Sequence, residues 1–138
     1  MRIGIDARKL HDFGIGTYIR NLLRQLSRLD HDTEYVLFSR PEDLNDLKGL
    51  GENFRAVPET AGNYSLAEQV RIPLAIRREG VTLFHAPHYV LPPLVSCKSV
   101  VTIHDCIHLM FPQYLPNRFA LAYARTSITM ASKRRRGC

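Results

Sequence analysis

Residues 2–29 read RIGIDARKLHDFGIGTYIRNLLRQLSRL, and the order of patterns within them decides the fold class. Residues 2–6 (RIGID) have the composition of a short strand, and a polar loop follows. Along 15–29, apolar side chains then recur at the spacing of one helical stripe: Ile19, Leu22, Leu23, Leu26 and Leu29. A strand, a loop containing glycine and an amphipathic helix, in that order, predict the first unit of an alternating α/β domain.

Four further strands continue the alternation, and they are predicted at 34–39, 54–57, 81–86 and 98–104. The last two are apolar throughout, which is typical of strands covered on both faces of a parallel sheet. We therefore expect a Rossmann-like α/β fold, with an open, mostly parallel sheet, helices on both faces and right-handed crossovers. Such sheets bind their ligands beyond the carboxyl ends of the strands.

Two more helices are predicted between and after these strands. Ser65 and Glu68 match a capping box, so a helix should begin there and end at Gly80. Pro73 lies inside this segment, and an interior proline predicts a kink or two short helices. A last helix is expected over 117–136, with Leu121, Ala124, Ile128 and Ala131 on one stripe.

Length and composition indicate one soluble domain. The chain has 138 residues, of which 45% are hydrophobic and 23% charged, so a globular core is expected rather than disorder. No apolar run approaches the ~20 residues of a spanning helix, and the charged start does not resemble a secretory signal. Three cysteines without paired spacing favour reduced thiols. These features predict a cytoplasmic protein.

The net charge of +6 is concentrated at the end of the chain. Four of the 19 basic residues are Lys133, Arg134, Arg135 and Arg136, and without them the net charge is +2. Such a run could bind nucleic acid or an anionic membrane surface. A solvated helix end is favoured instead, because no aromatic side chains alternate with the charges. We expect a domain over 1–132 followed by a basic tail over 133–138, and no nucleic-acid partner.

The segment GIGTY, from Gly14 to Tyr18, is predicted as a loop that enters the first helix. Glycines there let backbone N–H groups approach a phosphate, and the helix dipole favours the negative charge. A dinucleotide site would need a third glycine where Ile19 stands, and the segment is not a P-loop. Phosphate contact and a glycine loop without a ligand both remain open.

Two histidine-containing segments follow the last two strands. HAPHYVLPP (85–93) places His85, His88 and Tyr89 after one strand, and HDCIH (104–108) follows the next. Such side chains suit sugar or nucleotide hydroxyls, although His85 taken alone is better interpreted as a structural histidine that caps the strand. His104 could bind a hydroxyl with Asp105 fixing its tautomer, whereas a structural His–Asp pair is the alternative.

A metal centre built from these histidines is the competing hypothesis. His85, His88, His104, Asp105 and His108 could converge at the sheet edge. The zinc-protease motif, however, lies on a helix and has glutamate at its second position. We therefore expect no metal.

Four segments in series resemble one family. RIGIDAR, FGIGTYIRNLL, LFHAPHYVLP and VVTIHDCIHLMFPQYLP resemble the amino-terminal half of the family 4 (group 1) retaining glycosyltransferases, especially mannosyltransferase-like bacterial members. The resemblance runs from residue 1 to about residue 132. It implies the GT-B architecture, in which two Rossmann-like domains face each other across a cleft. The amino-terminal domain receives the acceptor, and the second domain holds the nucleotide-sugar with a pair of glutamates seven residues apart.

The resemblance also implies site roles. Gly14, Gly16 and Thr17 would bind the donor diphosphate, and His104 and Asp105 would be the catalytic residues. The acceptor-binding residues would be Tyr18, His85, His88 and Tyr89. No cofactor and no metal are implied, since the nucleotide-sugar is a substrate.

The implied function is sugar transfer, with mannose as a candidate, from a nucleotide-sugar to a sugar or lipid-linked acceptor in polysaccharide, lipopolysaccharide or glycolipid synthesis. Peripheral contact with the inner membrane is a further expectation. The printed sequence ends before the donor domain, so we expect this chain alone to be inactive. A stand-alone Rossmann-like nucleotide-binding module and a metal-dependent hydrolase remain the alternatives.

Overall fold

The fold is taken from a computed structural model, which describes residues 1–62, 65, 67–88 and 90–104. Within these residues, five strands form one parallel sheet with two helices: β1 (Arg2–Asp6), α1 (Phe13–Leu29), β2 (Glu34–Ser39), β3 (Phe54–Pro58), α2 (Glu68–Arg78), β4 (Leu83–Ala86) and β5 (Lys98–Val101). A 3₁₀ turn lies at Pro41–Asp43. The strand order is β3-β2-β1-β4-β5. The predicted Rossmann-like α/β sheet is therefore confirmed.

The centre of the sheet is buried on both faces, whereas β5, which was predicted to be covered on both faces, is only partly buried: Val100 is 49% exposed. Along β2, Val36 and Phe38 pack into one cluster, which includes Ile72 and Ile76 of α2. The alternate side chains of β2 pack into a second cluster with α1, whose buried members include Tyr35, Leu37, Ile19 and Leu23. Because successive strand residues point to opposite faces, α1 and α2 cover opposite sides of the sheet.

Strands are added to one side of β1 first, as β2 and β3, and then to its other side, as β4 and β5, so the switch point of the sheet lies between β1 and β4. β1 pairs with β2 on one side and with β4 on the other. Crevices at such switch points, beyond the carboxyl ends of the strands, are the usual ligand sites of open α/β sheets. The segments that follow β1, β4 and β5 therefore frame the candidate site.

The helix α1 begins at Phe13, two residues before the predicted start. The N–H of Gly16 donates to the carbonyl oxygen of Asp12 at 2.6 Å and closes the first turn. The prediction that Gly14 and Gly16 form a loop is therefore wrong, since both lie in the helix. Close packing explains it: a Cβ on Gly16 would overlap the Leu10 carbonyl group, with 2.9 Å to its carbon.

The helix α2 is one continuous segment from Glu68 to Arg78 with Pro73 inside it, so of the two predicted outcomes, a kink or two short helices, the second is wrong. Pro73 removes a single backbone donor, while Ile72 and Ile76 on either side of it are buried in the core. Ser65 accepts from the N–H of Glu68 at 3.1 Å, as in a capping box. The helix itself starts only at Glu68.

The predicted end of α2 at Gly80 is confirmed. Gly80 has φ +63°, and its N–H donates to Arg77 at 3.1 Å. The N–H of Val81 donates to Ile76 at 3.1 Å, which completes a Schellman motif. Because the N–H of Val81 belongs to this helix cap, β4 begins at Leu83 and not at residue 81 as predicted.

The strand β5 ends at Val101, three residues earlier than predicted. One further ladder bond, from the N–H of Thr102 to Ala86 at 2.9 Å, follows it. The neighbouring β4 ends at Ala86, so β4 does not continue as a partner beside 103–104. The predicted helix over 117–136 lies outside the described residues. No helix in the described part of the chain is long and apolar enough to cross a bilayer.

Candidate functional site

Tyr18, His85, Thr102 and His104 come together at the carboxyl ends of β4 and β5. Tyr18 reaches this edge from α1, His85 lies in β4, and the other two follow β5. The ring of Tyr18 meets both imidazoles edge-on, with centroid distances of 6.3 Å to His85 and 5.1 Å to His104. We call these four residues the tyrosine–histidine cluster.

Thr102 joins two members of this cluster by hydrogen bonds. Its Oγ1 lies 2.9 Å from Nε2 of His85 and 3.3 Å from the hydroxyl of Tyr18. Sequence reasoning missed Thr102, because a threonine between β-branched residues indicates only a strand. The tertiary contact spans 84 residues of chain between Tyr18 and Thr102.

The side chain of His104 has a defined tautomer. Its Nε2 lies 2.9 Å from the carbonyl oxygen of Pro87. Because a carbonyl oxygen only accepts, Nε2 carries the proton and donates. The neutral ring therefore offers Nδ1 as an acceptor, and the protonated ring offers it as a donor. The Pro87 carbonyl does what was expected of Asp105, which lies outside the described residues.

His85 is held as a neutral imidazole. Burial lowers its pKa, and the nearby charge of His104 lowers it further. At neutral pH its Nε2 is therefore either a bare acceptor or a single N–H donor toward Thr102. This side chain can orient a hydroxyl group, but it carries no positive charge for an anion.

Gly14, Thr17 and Tyr18 line one shallow groove that runs along α1 from its first turn. The groove has a volume of about 500 Å³ and is lined by Gly14, Thr17, Tyr18, Asn21, Leu22 and Gln25. Gly14 faces open space, since a Cβ there would meet no atom within 4 Å. The hydroxyl of Thr17 donates to the Phe13 carbonyl at 3.1 Å. Of the three residues predicted for the diphosphate, the structure brings Gly14 and Thr17 into this groove, whereas Gly16 is buried against Leu10.

His88 lies in a second group, in the interior. It is 2% exposed, and neither ring nitrogen has a hydrogen-bond partner among the residues that the structure describes. Burial lowers the pKa of His88 to about 4, although the carboxylate of Asp6 opposes the shift. The two histidines of HAPHYVLPP thus separate, with His85 at the tyrosine–histidine cluster and His88 beside Asp6. Tyr89 lies outside the described residues.

Arg8 is the centre of this interior group, and sequence reasoning missed it. Its guanidinium binds both carboxylate oxygens of Asp6, at 2.9 and 2.6 Å, and one oxygen of Glu68 at 2.5 Å. A further N–H donates to the Ala61 carbonyl at 3.1 Å. Burial alone would raise the pKa of Asp6, but the hydrogen bonds and charge of Arg8 outweigh it and lower that pKa. We call Asp6, Arg8 and Glu68 the buried ion triad.

The described residues do not bring the histidines together as metal ligands. Two groups have ligand atoms within 4.8 Å of one another, Asp6 with Glu68 and His88, and His11 with Asp43 and Asp46. Neither contains His85 or His104. In the first group Arg8 already binds both carboxylates, so its positive charge occupies the place of a cation. Asp105 and His108 lie outside the described residues.

A comparison with known protein families finds one profile that matches most of the sequence. The profile of Glycosyltransferase Family 4 matches residues 14–135, which include α1 from its second residue onward and the tyrosine–histidine cluster. Comparison with curated proteins finds no relative that matches. Since the matched segment covers most of the 138 residues, and the fold is the Rossmann-like sheet that the resemblance implied, the chain belongs to glycosyltransferase family 4.

Proposed function

We propose that this chain is the acceptor-side domain of a glycosyltransferase that transfers a sugar, with mannose as the first candidate, from a nucleotide-sugar to an acceptor hydroxyl. One observation carries the proposal: the tyrosine–histidine cluster lies at the carboxyl ends of β4 and β5, beside the switch point of the sheet. Its polar atoms are those that recognise hydroxyl groups.

The chemistry follows from the groups available. Transfer from a nucleotide-sugar releases a nucleoside diphosphate, so stabilising negative charge and aligning the two substrates lower the barrier. The first turn of α1 offers backbone N–H groups and the positive end of the helix dipole, and Gly14 leaves room for close approach. Thr17 belongs to the same surface, and Gly16 supports it from the buried side.

His104 and Asp105 are the proposed catalytic residues. With Nε2 held by Pro87, the Nδ1 atom of His104 can contact the transferred sugar or donate to the departing phosphate when protonated. Tyr18, His85 and Tyr89 would bind the acceptor sugar. His88 is buried, so in this proposal it supports the acceptor-binding surface from the interior and does not contact the sugar.

The proposal has three further parts. The reaction retains the configuration at the anomeric carbon, and it needs no metal ion. The acceptor is lipid-linked or a polysaccharide, at the cytoplasmic face of the inner membrane. These rest on the family resemblance. Because the resemblance assigns donor binding to a second domain, we expect the 138-residue chain alone to transfer no sugar from any nucleotide-sugar. Measurable transfer by the purified chain would contradict this expectation.

Binding to the purified chain tests the site itself. Titration with methyl α-D-mannopyranoside, and separately with GDP and UDP, is followed by the imidazole signals in NMR. We expect the sugar to shift the signals of His104 and His85, and the diphosphates to shift the amides of the first turn of α1. His104→Ala should abolish the sugar response, whereas His31→Ala, at an exposed turn after α1, should leave it intact.

The alternatives predict other outcomes. Tight binding of NAD or NADP with shifts at the β1–α1 segment would favour a stand-alone Rossmann-like nucleotide-binding module. Zinc retained by protein purified without a tag would favour a metal-dependent hydrolase. Either result, in the absence of a response at His104, would overturn the proposed function.

A further inference from the structure

The hydroxyl of Thr102 links Tyr18 of α1 to His85 of β4 by hydrogen bonds, beside the direct edge-on contact of their rings. It contacts Nε2 of His85 at 2.9 Å and the hydroxyl of Tyr18 at 3.3 Å. The backbone of Thr102 is fixed by its N–H bond to Ala86 at 2.9 Å, which extends the β4–β5 ladder. Its hydroxyl is therefore held in place between two partners from different elements.

A threonine hydroxyl has a single proton, so it can donate to one partner only. If Nε2 of His85 is bare, Thr102 donates to it and must accept from Tyr18, whose proton then points inward. If Nε2 carries the proton, His85 donates to Thr102, and Thr102 is free to donate to Tyr18. The proton of Tyr18 is then available to a ligand. The two arrangements give the hydroxyl of Tyr18 opposite roles.

We propose that Thr102 is a positioning residue, which couples the tautomer of His85 to the donor or acceptor role of the Tyr18 hydroxyl toward a bound sugar hydroxyl. The inference rests on the proposed function only in its last step, where Tyr18 meets the sugar. The coupling itself is a property of the chain without any ligand.

His104 stays outside this coupling. Its Nε2 donates to the Pro87 carbonyl, and its ring lies edge-on to that of Tyr18, with 5.1 Å between the ring centroids. Selecting the Tyr18 role therefore depends on His85 and Thr102, whereas His104 keeps one tautomer throughout.

The ligand-free test uses the side-chain ¹⁵N signals of His85. Thr102→Val is nearly isosteric and removes the hydroxyl, whereas Thr102→Ser keeps it. We expect Thr102→Val to change the Nε2 shift and the tautomer ratio of His85, and Thr102→Ser to preserve both. Tyr18→Phe keeps the ring beside His85 and removes the hydroxyl that contacts Thr102, so we expect its effect on Nε2 to pass through Thr102. That effect should disappear when Thr102→Val is also present.

The ligand-bound test is a double-mutant cycle with methyl α-D-mannopyranoside as the probe. We expect Thr102→Val to weaken binding about 10-fold in the presence of Tyr18, the equivalent of one hydrogen bond, and to have no effect in a Tyr18→Phe background. Thr102→Ser should restore binding. A merely structural threonine would weaken binding equally in both backgrounds.

Thr82→Val is the matched control. Thr82 directly precedes β4, at the end of the strands opposite to the cluster. Its hydroxyl donates to the carbonyl oxygen of Arg2 at 2.9 Å. It should leave the His85 signals and probe binding unchanged. Identical His85 signals in Thr102→Val and the native chain, or an undiminished Tyr18→Phe effect in its presence, would overturn the inference. A confirmed coupling without sugar binding would instead refute the proposed function alone.

Discussion

The guanidinium of Arg8 binds the carboxylate of Glu68 at 2.5 Å, across 60 residues of chain. Arg8 follows β1, and Glu68 is the first residue of α2, so the contact ties the switch point of the sheet to the start of the second helix. Both side chains are at most 2% exposed. With Asp6 they form a buried network in which both carboxylates bind the same guanidinium.

Arg8→Met should therefore destabilise the chain severely. Two carboxylates would remain buried without their cation, and breaking a buried pair in this way costs about 3–5 kcal/mol. Urea unfolding at pH 7 measures the loss. Arg24→Met, on the exposed face of α1, is the control and should change stability by less than about 0.5 kcal/mol. Equal effects of the two substitutions would show that the buried ion triad does not stabilise the fold.

The two glycines of α1 should respond oppositely to alanine. Gly16→Ala forces a methyl group into the Leu10 carbonyl, so we expect a loss of about 1–3 kcal/mol. Gly14→Ala meets no atom within 4 Å and should be neutral or stabilising, because alanine favours a helix. Thermal unfolding measures both. Equal destabilisation by the two variants would contradict this packing.

The same Gly14→Ala variant tests diphosphate binding. If a diphosphate binds at Gly14, the added methyl group should weaken GDP or UDP binding without loss of stability.

Stability should fall as the pH is lowered from about 6.5 to 4. Burial lowers the pKa of His88 to about 4 in the folded chain, against about 6.5 in the unfolded one. Between these values the unfolded state binds a proton that the folded state does not. Stability present above pH 6.5 is therefore lost as the pH falls, by up to about 3 kcal/mol.

His88→Gln isolates this contribution, since the amide does not titrate. The lowered pKa of His85 also reduces stability on acidification, and it remains in the variant. Urea unfolding at pH 7 and pH 4.5 should show a smaller pH dependence in His88→Gln than in the native chain. The same dependence in both proteins would mean that His88 is not buried as a neutral ring.

Gly80→Ala should weaken the end of α2. Gly80 has φ +63°, which costs a residue with a side chain about 1 kcal/mol, and its Cβ would lie 3.3 Å from Arg2. Gly62→Ala is the control, because its Cβ would meet no atom within 4 Å. Thermal unfolding should separate the two, and a loss of stability in Gly62→Ala alone would contradict the cap.

Local patterns predicted much of the architecture. The spacing of Ile19 and Leu23 predicted α1, and the apolar runs before His85 and His104 predicted two parallel strands, of which β5 is only partly buried. Gly80 marked the end of α2, since only the left-handed region suits that position. These predictions succeeded because periodicity and turn chemistry depend on neighbours in the chain. The loop expected at Gly14 and Gly16 failed, since glycine there serves the close packing of α1 on Leu10.

The sequence by itself determined the order of strands and helices, the carboxyl-end placement of the histidines and the resemblance to a glycosyltransferase. Only the tertiary structure decided that Arg8 meets Glu68, that Thr102 joins Tyr18 to His85, and that His85 and His88 face different surroundings. The physical reason is that these contacts cross the sheet between segments 17 to 84 residues apart. Their partners are set by the crossover connections and the packing of the helices, which no local pattern specifies.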